Sequence, residues 1–408
     1  MSFTRRKTPA RVLLAAVATL GITALVGCST PTADTGSEEK LTLRFTSFEP
    51  EGIVGHQARL FGDQIEKESN GNITVEYFWS GSLLPANEMA TGISSGVADI
   101  GMILPPYNPS EFPVANWATV LGSMGDSAYP LNMLQGSAAN AEAALASKEL
   151  GAEFDKQGLK LLAPLSAYPS FSLLCNDPVT TLADAKGKRV RVGGQLWADE
   201  AQAVGMVPVA LSGAEVYEAQ QRGIVDCVMQ HPPGFVGNGL WEIASEYTDA
   251  GFTGWNAMYL VMGDNKWESL SVEHQRVIWD ASVTYFTATH EKSMLDYEKF
   301  ATEGVDKHGV KFNAPASDLS EAIAKAQNDG LAKAEKTAPT QVADPKAFIE
   351  SYRTAVNKWY DLSTSKLDVT SAKDGPVDSL KAFGAGIDFD FDAWSDLVKS
   401  EIFVKYRP

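Results

Sequence analysis

Arg191, in the segment KGKRVRV from Lys186 to Val192, is the residue best placed to do chemistry. A guanidinium is a planar fork of donors that matches a carboxylate, and such charge-assisted bonds are stronger than neutral ones where water is kept out. Strand alternation puts Arg189 on the same face as Arg191, with Val190 and Val192 on the other, so side-chain direction alone does not choose between the two arginines. Other chemistries find less support. Gly92 to Gly96 reads GISSG and formally matches a nucleophile elbow with Ser94 as nucleophile, but the elbow needs a strand before its serine and a helical segment stands there. The five histidines, His56, His231, His274, His290 and His308, lack metal-ligand spacing; no cysteine pair is close in sequence, and no phosphate loop with its lysine occurs. Nothing here demands a metal or a cofactor.

The elements that must hold Arg191 are marked in the surrounding sequence. From Lys186 to Gln230 the chain alternates strand, helix, strand, helix, strand, ending in GIVDCVMQ. Ser212 and Glu215 form a capping box and Gly223 stops the last helix. This alternation predicts a mainly parallel sheet with helices on its faces, and such sheets place ligands at strand ends, where Arg191 lies. An earlier stretch, Glu88 to Met102, has the same order: a helix ending at a glycine, then a strand. GVADIGM at Gly96 and GIVDCVM at Gly223 share glycine, aspartate and methionine, which predicts two related α/β lobes with a cleft between them.

With 408 residues, 44% of them hydrophobic, the chain is long enough for two cores. Its net charge of −17 excludes a nucleic-acid surface, which needs lysine and arginine in excess. The N-terminus has the form of a signal peptide: Arg5, Arg6, Lys7 and Arg11, an apolar run from Val12 to Val26, then Gly27 and Cys28. Small residues before a cysteine resemble the lipobox of bacterial lipoproteins and imply cleavage before Cys28, with a lipid thioether on its sulfur; the other reading is an ordinary secretory peptide with an incidental cysteine. Residues 28–40 read as a flexible tether, so a lipid-anchored extracytoplasmic protein is expected. Cys175 and Cys227 remain, on two strands of the second lobe, either as a disulfide or as two buried thiols.

Along the mature chain, strands are expected at Leu41 to Ser47 and Ile73 to Trp79, with an amphipathic helix from Gly55 to Ser69 between them. The apolar stretch Leu159 to Leu174 reads as a long strand leaving one lobe for the other, and Asn256 to Met262 as the strand that returns. From Ser271 a long helix could run nearly to Val305, followed by helices at Asp318 to Lys336 and Asp344 to Leu362, the last capped by Asp344 with Pro345 in its first turn. The expected division is residues 1–27 as signal peptide, 41–168 with 254–297 as the first lobe, and 169–253 with 298–364 as the second. No role is assigned to 365–408.

Several of these segments, GNITVEYF, GSLLP, SGVADIG and above all DAKGKRVRV followed by VGMVPVALSGAEVYEAQQRGIVD, resemble the DctP-like solute-binding proteins of tripartite ATP-independent periplasmic (TRAP) transporters. The resemblance covers roughly Leu41 to Lys336. It implies a periplasmic-binding-protein-like α/β fold of two lobes joined by crossing strands, with a long C-terminal helix bracing both. It further implies hinge closure on a small organic acid and delivery to membrane permease subunits, with Arg191 pairing the ligand carboxylate. Gln230 stands where the family usually has an asparagine. Phe171 or Ser172 stands where many members carry a second basic residue, and Cys227 replaces a frequent glycine, which counts against a C4-dicarboxylate. Phe48, Trp79, Tyr107, Trp197 and Trp255 fall at strand ends and, with Phe171, favour a monocarboxylate with an apolar or ring-containing body. Two other readings are an ABC importer's binding lipoprotein and an envelope hydrolase using Ser94.

Overall fold

The computed structural model describes residues 40–126, 129–165, 170–254, 257–367, 369 and 390–408. Cys28, the signal segment and most of the tether therefore lie outside the described residues, as does Trp255. Eleven strands form two sheets: β1 (Leu41–Thr46), β2 (Ile73–Phe78), β3 (Ile100–Ile103), β4 (Leu159–Pro164), β5 (Phe171–Cys175), β6 (Arg189–Val192), β7 (Val207–Ala210), β8 (Cys227–Gln230), β9 (Glu246–Phe252), β10 (Tyr259–Gly263) and β11 (Lys311–Asn313). The first sheet has the order β2-β1-β3-β10-β4 and the second β11-β9-β5-β8-β6-β7.

The two sheets repeat one plan. β1 runs parallel between β2 and β3, and β6 runs parallel between β7 and β8; an antiparallel strand, β10 or β5, follows in each case. The shared aspartate explains the sequence match. Asp99 accepts from the backbone N–H of Arg44 on β1 at 2.8 Å and from its Nε at 3.2 Å, while Asp226 accepts from the backbone N–H of Arg189 on β6 at 2.8 Å and from its Nε at 3.1 Å. The glycines three residues earlier, Gly96 and Gly223, have φ of 79° and 65°, a region a side chain disfavours, and each ends a helix there. Helix stop, aspartate clamp and central strand thus recur as one unit.

The stretch Leu159 to Leu174 is not one strand but two, β4 in the first sheet and β5 in the second, and the chain returns between β9 and β10. The crossings run side by side, with the Leu165 N–H donating to Met258 O at 2.7 Å. Cys175 and Cys227, opposite each other on β5 and β8, are joined as a disulfide.

The helix Val272–Lys299, continued through a π-helical turn at Phe300–Gly304 to His308, packs on Glu51–Glu68 beside the first sheet and on Pro232–Gly237 beside the second. It braces both lobes. The helix Pro345–Lys366 starts as expected, with Asp344 accepting from the Ala347 N–H at 2.9 Å and Pro345 in the first turn. Its place corrects the expected division, because it packs on Leu131–Ala146 of the first lobe. There Gln135 Nε2 donates to Val356 O at 3.0 Å, and Lys358 Nζ and Trp359 Nε1 both donate to Glu142. The tail also gains a structural place: helix Phe391–Glu401 buries Trp394 against Phe286 and His290, and Arg407 pairs with Asp280 at 2.6 Å.

Buried carboxyls make the stability depend on pH, and Glu200, near the return crossing, is one of them. Burial pushes Glu200 up to about 7, against the pull of its hydrogen bonds from Thr253 N and Oγ1. A group raised above its ordinary value of about 4.3 contributes stability below that value and loses it as pH climbs through the folded value, here on the order of 3 kcal/mol between pH 4 and 8. Glu49, Glu153 and Asp249, raised by burial to about 7, about 7 and about 6, act in the same sense, and buried His231 and His290, depressed to about 3 and about 4, in the opposite one, so the wild-type profile alone does not isolate Glu200. Glu200→Gln keeps both contacts, with its Nε2 donating to Thr253 Oγ1. In urea melts it is expected to lose less stability than wild type between pH 5 and 8; parallel profiles would contradict the assignment.

Candidate functional site

Arg191 sits on β6, between β7 and β8, where the strand order reverses and an α/β sheet opens a crevice at its carboxyl ends. Its neighbour in type, Arg189, is 44% exposed at the side chain and tied to Asp226 at 2.6 Å, whereas Arg191 is 4% exposed. Both arginines lie on one strand face, yet only Arg191 is far enough along to reach the crevice.

The guanidinium is held from two sides. Nε donates to Leu211 O at 2.9 Å, and Nη2 donates to Tyr107 Oη at 3.3 Å; that oxygen also accepts from the Gly213 N–H at 3.2 Å. Tyr107 follows β3 in the first lobe while Arg191 and Gly213 belong to the second, so these bonds span the cleft. Nη1 has no protein acceptor among the described residues. Arg191 borders a cavity of about 70 Å³ walled by residues from both lobes. Phe48, Met102, Leu104 and Tyr107 come from the carboxyl ends of β1 and β3. Phe171 comes from the start of β5, Gln230 and His231 from the end of β8, Met258 from the return crossing, and Tyr285 and Thr289 from the bracing helix.

The polar wall is ordered by close contacts. Gln230 packs so tightly on Gly234 that a Cβ there would lie 2.2 Å from its Nε2, so a side chain at 234 would push the Gln230 amide from its place. Gln230 Oε1 is buried without a hydrogen bond among the described residues. His231 Nδ1 accepts from the Gly234 N–H at 3.0 Å, and burial, then the Arg191 charge, push its pKa down to about 3, so the ring is neutral. Burial raises the Tyr107 hydroxyl above its ordinary value, with Arg191 pulling the other way.

Of the residues expected at the site, Arg191, Gln230, Phe171, Phe48 and Tyr107 share this one cavity; Phe48 and Tyr107 meet edge to face at 5.9 Å. Two aromatic expectations are corrected. Trp197 stands behind Phe171, stacked at 5.4 Å, with Nε1 committed to Thr253 O at 2.8 Å, and Trp79 stacks on Tyr77 at 5.3 Å; neither lines the cavity. Each stands one layer back, packed behind an aromatic ring, Phe171 for Trp197 and Phe45 for Trp79. Ser172, beside Phe171, bonds Tyr247 Oη at 2.9 Å and Asp249 at 3.1 Å, so no cation stands on that strand. Ser94 ends the helix Met89–Ser94, its Oγ close to Gly158 and remote from the cavity. Among the described residues no cluster of His, Cys, Asp and Glu could hold a metal ion. Sequence reasoning passed over Glu49, directly after Phe48, and the contribution of Tyr285 and Thr289; the first was readable as a charged residue at a strand end.

Two α/β lobes with paired crossings, a bracing helix and a buried arginine in the interlobe cavity define a two-lobed solute-binding protein. A model of bacterial extracellular solute-binding proteins, family 7, the DctP family, matches residues 46–337, and the chain belongs to that family. A solute-binding protein of Roseobacter denitrificans is 22% identical over 295 residues, covering 69% of this chain and 86% of the relative. Among solved structures, DctP7 of Bordetella pertussis, a receptor binding pyroglutamic acid, is similar with a TM-score of 0.65 at 21% identity, covering 76% of this chain and 99% of that one. A marine metagenome TRAP solute-binding protein in complex with 3-hydroxybenzoate, from an unidentified microbe, gives 0.67 at 19% identity, covering 79% and 99%. Among the described residues no helix is long and apolar enough to cross a membrane.

Proposed function

We propose that the protein captures a small monocarboxylate with a compact, ring-containing or apolar body by hinge closure and delivers it to the permease of a TRAP-type transporter. The observation that carries this is the Arg191 guanidinium, buried at the cavity wall with part of its donor fork unclaimed among the described residues. Phe48, Tyr107 and Phe171 supply flat apolar surface for the ligand body, and β5, which carries no lysine or arginine, offers a second carboxylate no cation. The ring-bearing acids bound by the two solved relatives agree with this chemistry. Ligand touching both lobes favours the closed state, because only there are all its contacts made. Lipidation at Cys28 would hold the protein at the outer face of the cytoplasmic membrane.

A thermal-shift screen of organic acids followed by calorimetric titration tests the reading, since a ligand that binds only the folded state raises its melting temperature. Ring-bearing monoacids are expected to bind and succinate to give no response. Tight succinate binding with no response to ring-bearing acids would overturn it.

A further inference from the structure

The cavity that holds Arg191 also holds a carboxylate of the protein's own. Glu49 lies just beyond β1 and lines the same wall, and its Oε2 is closed off from solvent with no hydrogen bond among the described residues. The fold makes room for it: a Cβ on Gly213 would lie 2.7 Å from Glu49 Oε1, so the absence of a side chain at Gly213 lets the carboxyl enter the crevice. Leaving a buried acceptor unmade is costly, and orphaned groups of this kind are satisfied by what binds beside them. Arg191 and Glu49, opposite in sign on one small cavity, form a dipolar site. A second ligand carboxylate would meet Glu49 as a like charge, whereas an N–H or ammonium group would fill its empty acceptor.

Resting on the reading of Arg191 as the carboxylate anchor, we propose that Glu49 selects acids that carry an N–H donor near the carboxylate, as imino, amino and aminoaryl acids do. Burial pushes Glu49 up to about 7, with Arg191 pulling it back, which agrees with a carboxyl waiting for a donor.

Three pairs of acids that differ chiefly in N–H against C–H test this by calorimetry on the whole mature protein at pH 8: proline with cyclopentanecarboxylate, pipecolate with cyclohexanecarboxylate, and anthranilate with 2-methylbenzoate. The expected result is that in at least one pair the N–H acid binds ten-fold or more tighter than its partner. Glu49→Gln should remove most of that advantage while its circular dichroism and melting curve remain those of a folded protein, and Arg191→Ala should lose both members. Equal affinities, a preference for the C–H acids, or no binding by any N–H acid would overturn the selection by Glu49; the wild-type comparison needs no variant. If the C–H acids bind and are lost in Arg191→Ala, the carboxylate reading survives while the role of Glu49 falls. If acids bind equally well to Arg191→Ala, both fall.

Discussion

Arg191→Ala is expected to weaken acid binding by about 30-fold to several thousand-fold while the protein stays folded. The range is the roughly 2–5 kcal/mol lost when one partner of a buried, hydrogen-bonded charge pair is removed, at about 1.4 kcal/mol per ten-fold. Retention of the fold follows from how little the guanidinium holds together, namely one carbonyl, Leu211 O, and one hydroxyl, Tyr107 Oη. Arg191→Lys is expected to recover only part of the affinity, since an ammonium keeps the charge but not the planar fork. Calorimetry for affinity and circular dichroism for fold separate these effects; unchanged affinity in a folded Arg191→Ala protein would contradict the assignment.

The second large effect concerns the disulfide. Cys175 and Cys227 close a loop of 52 residues that contains β6, β7 and Arg191. Chain-entropy arguments give such a loop about 4 kcal/mol, within a usual range of roughly 2–5. The double variant Cys175→Ala/Cys227→Ala should therefore unfold at clearly lower urea concentration, and reductant should lower the stability of wild type but not of the variant. Equal stabilities of reduced and oxidised wild type would show that the bond does not constrain the unfolded chain.

Much of this molecule is legible in its sequence because local chemistry and tertiary role agree. Gly223, the Ser212–Glu215 capping box and Asp344 before Pro345 are each satisfied within a few residues, so helix limits follow directly. The repeat was visible because Asp99 and Asp226 do the same work in both lobes, clamping an arginine and its backbone N–H. What escaped depends on partners remote in sequence. β9 lies inside the second sheet, yet it carries Thr248, Asp249 and Gly251, which break the apolar run that would mark an inner strand. Asp249 is tolerated there because Ser172 on the neighbouring strand donates to it. The lobe that receives helix Pro345–Lys366 is set by Gln135 and Glu142, more than two hundred residues away. An amphipathic face announces that it will be covered, not by what. Trp197 and Glu49 show the same limit at the site: both occur where strands meet crevices, but which one faces the ligand depends on how the second lobe packs.

The most direct measurement is a crystal structure of the protein with the tightest acid found in the screen. Both carboxylate oxygens should lie about 2.7–2.9 Å from the Arg191 guanidinium, the usual length of such charge-assisted bonds, with Phe48, Tyr107 and Phe171 around the ligand body. A carboxylate bound elsewhere, with Arg191 still facing only Leu211 and Tyr107, would contradict the account at its centre.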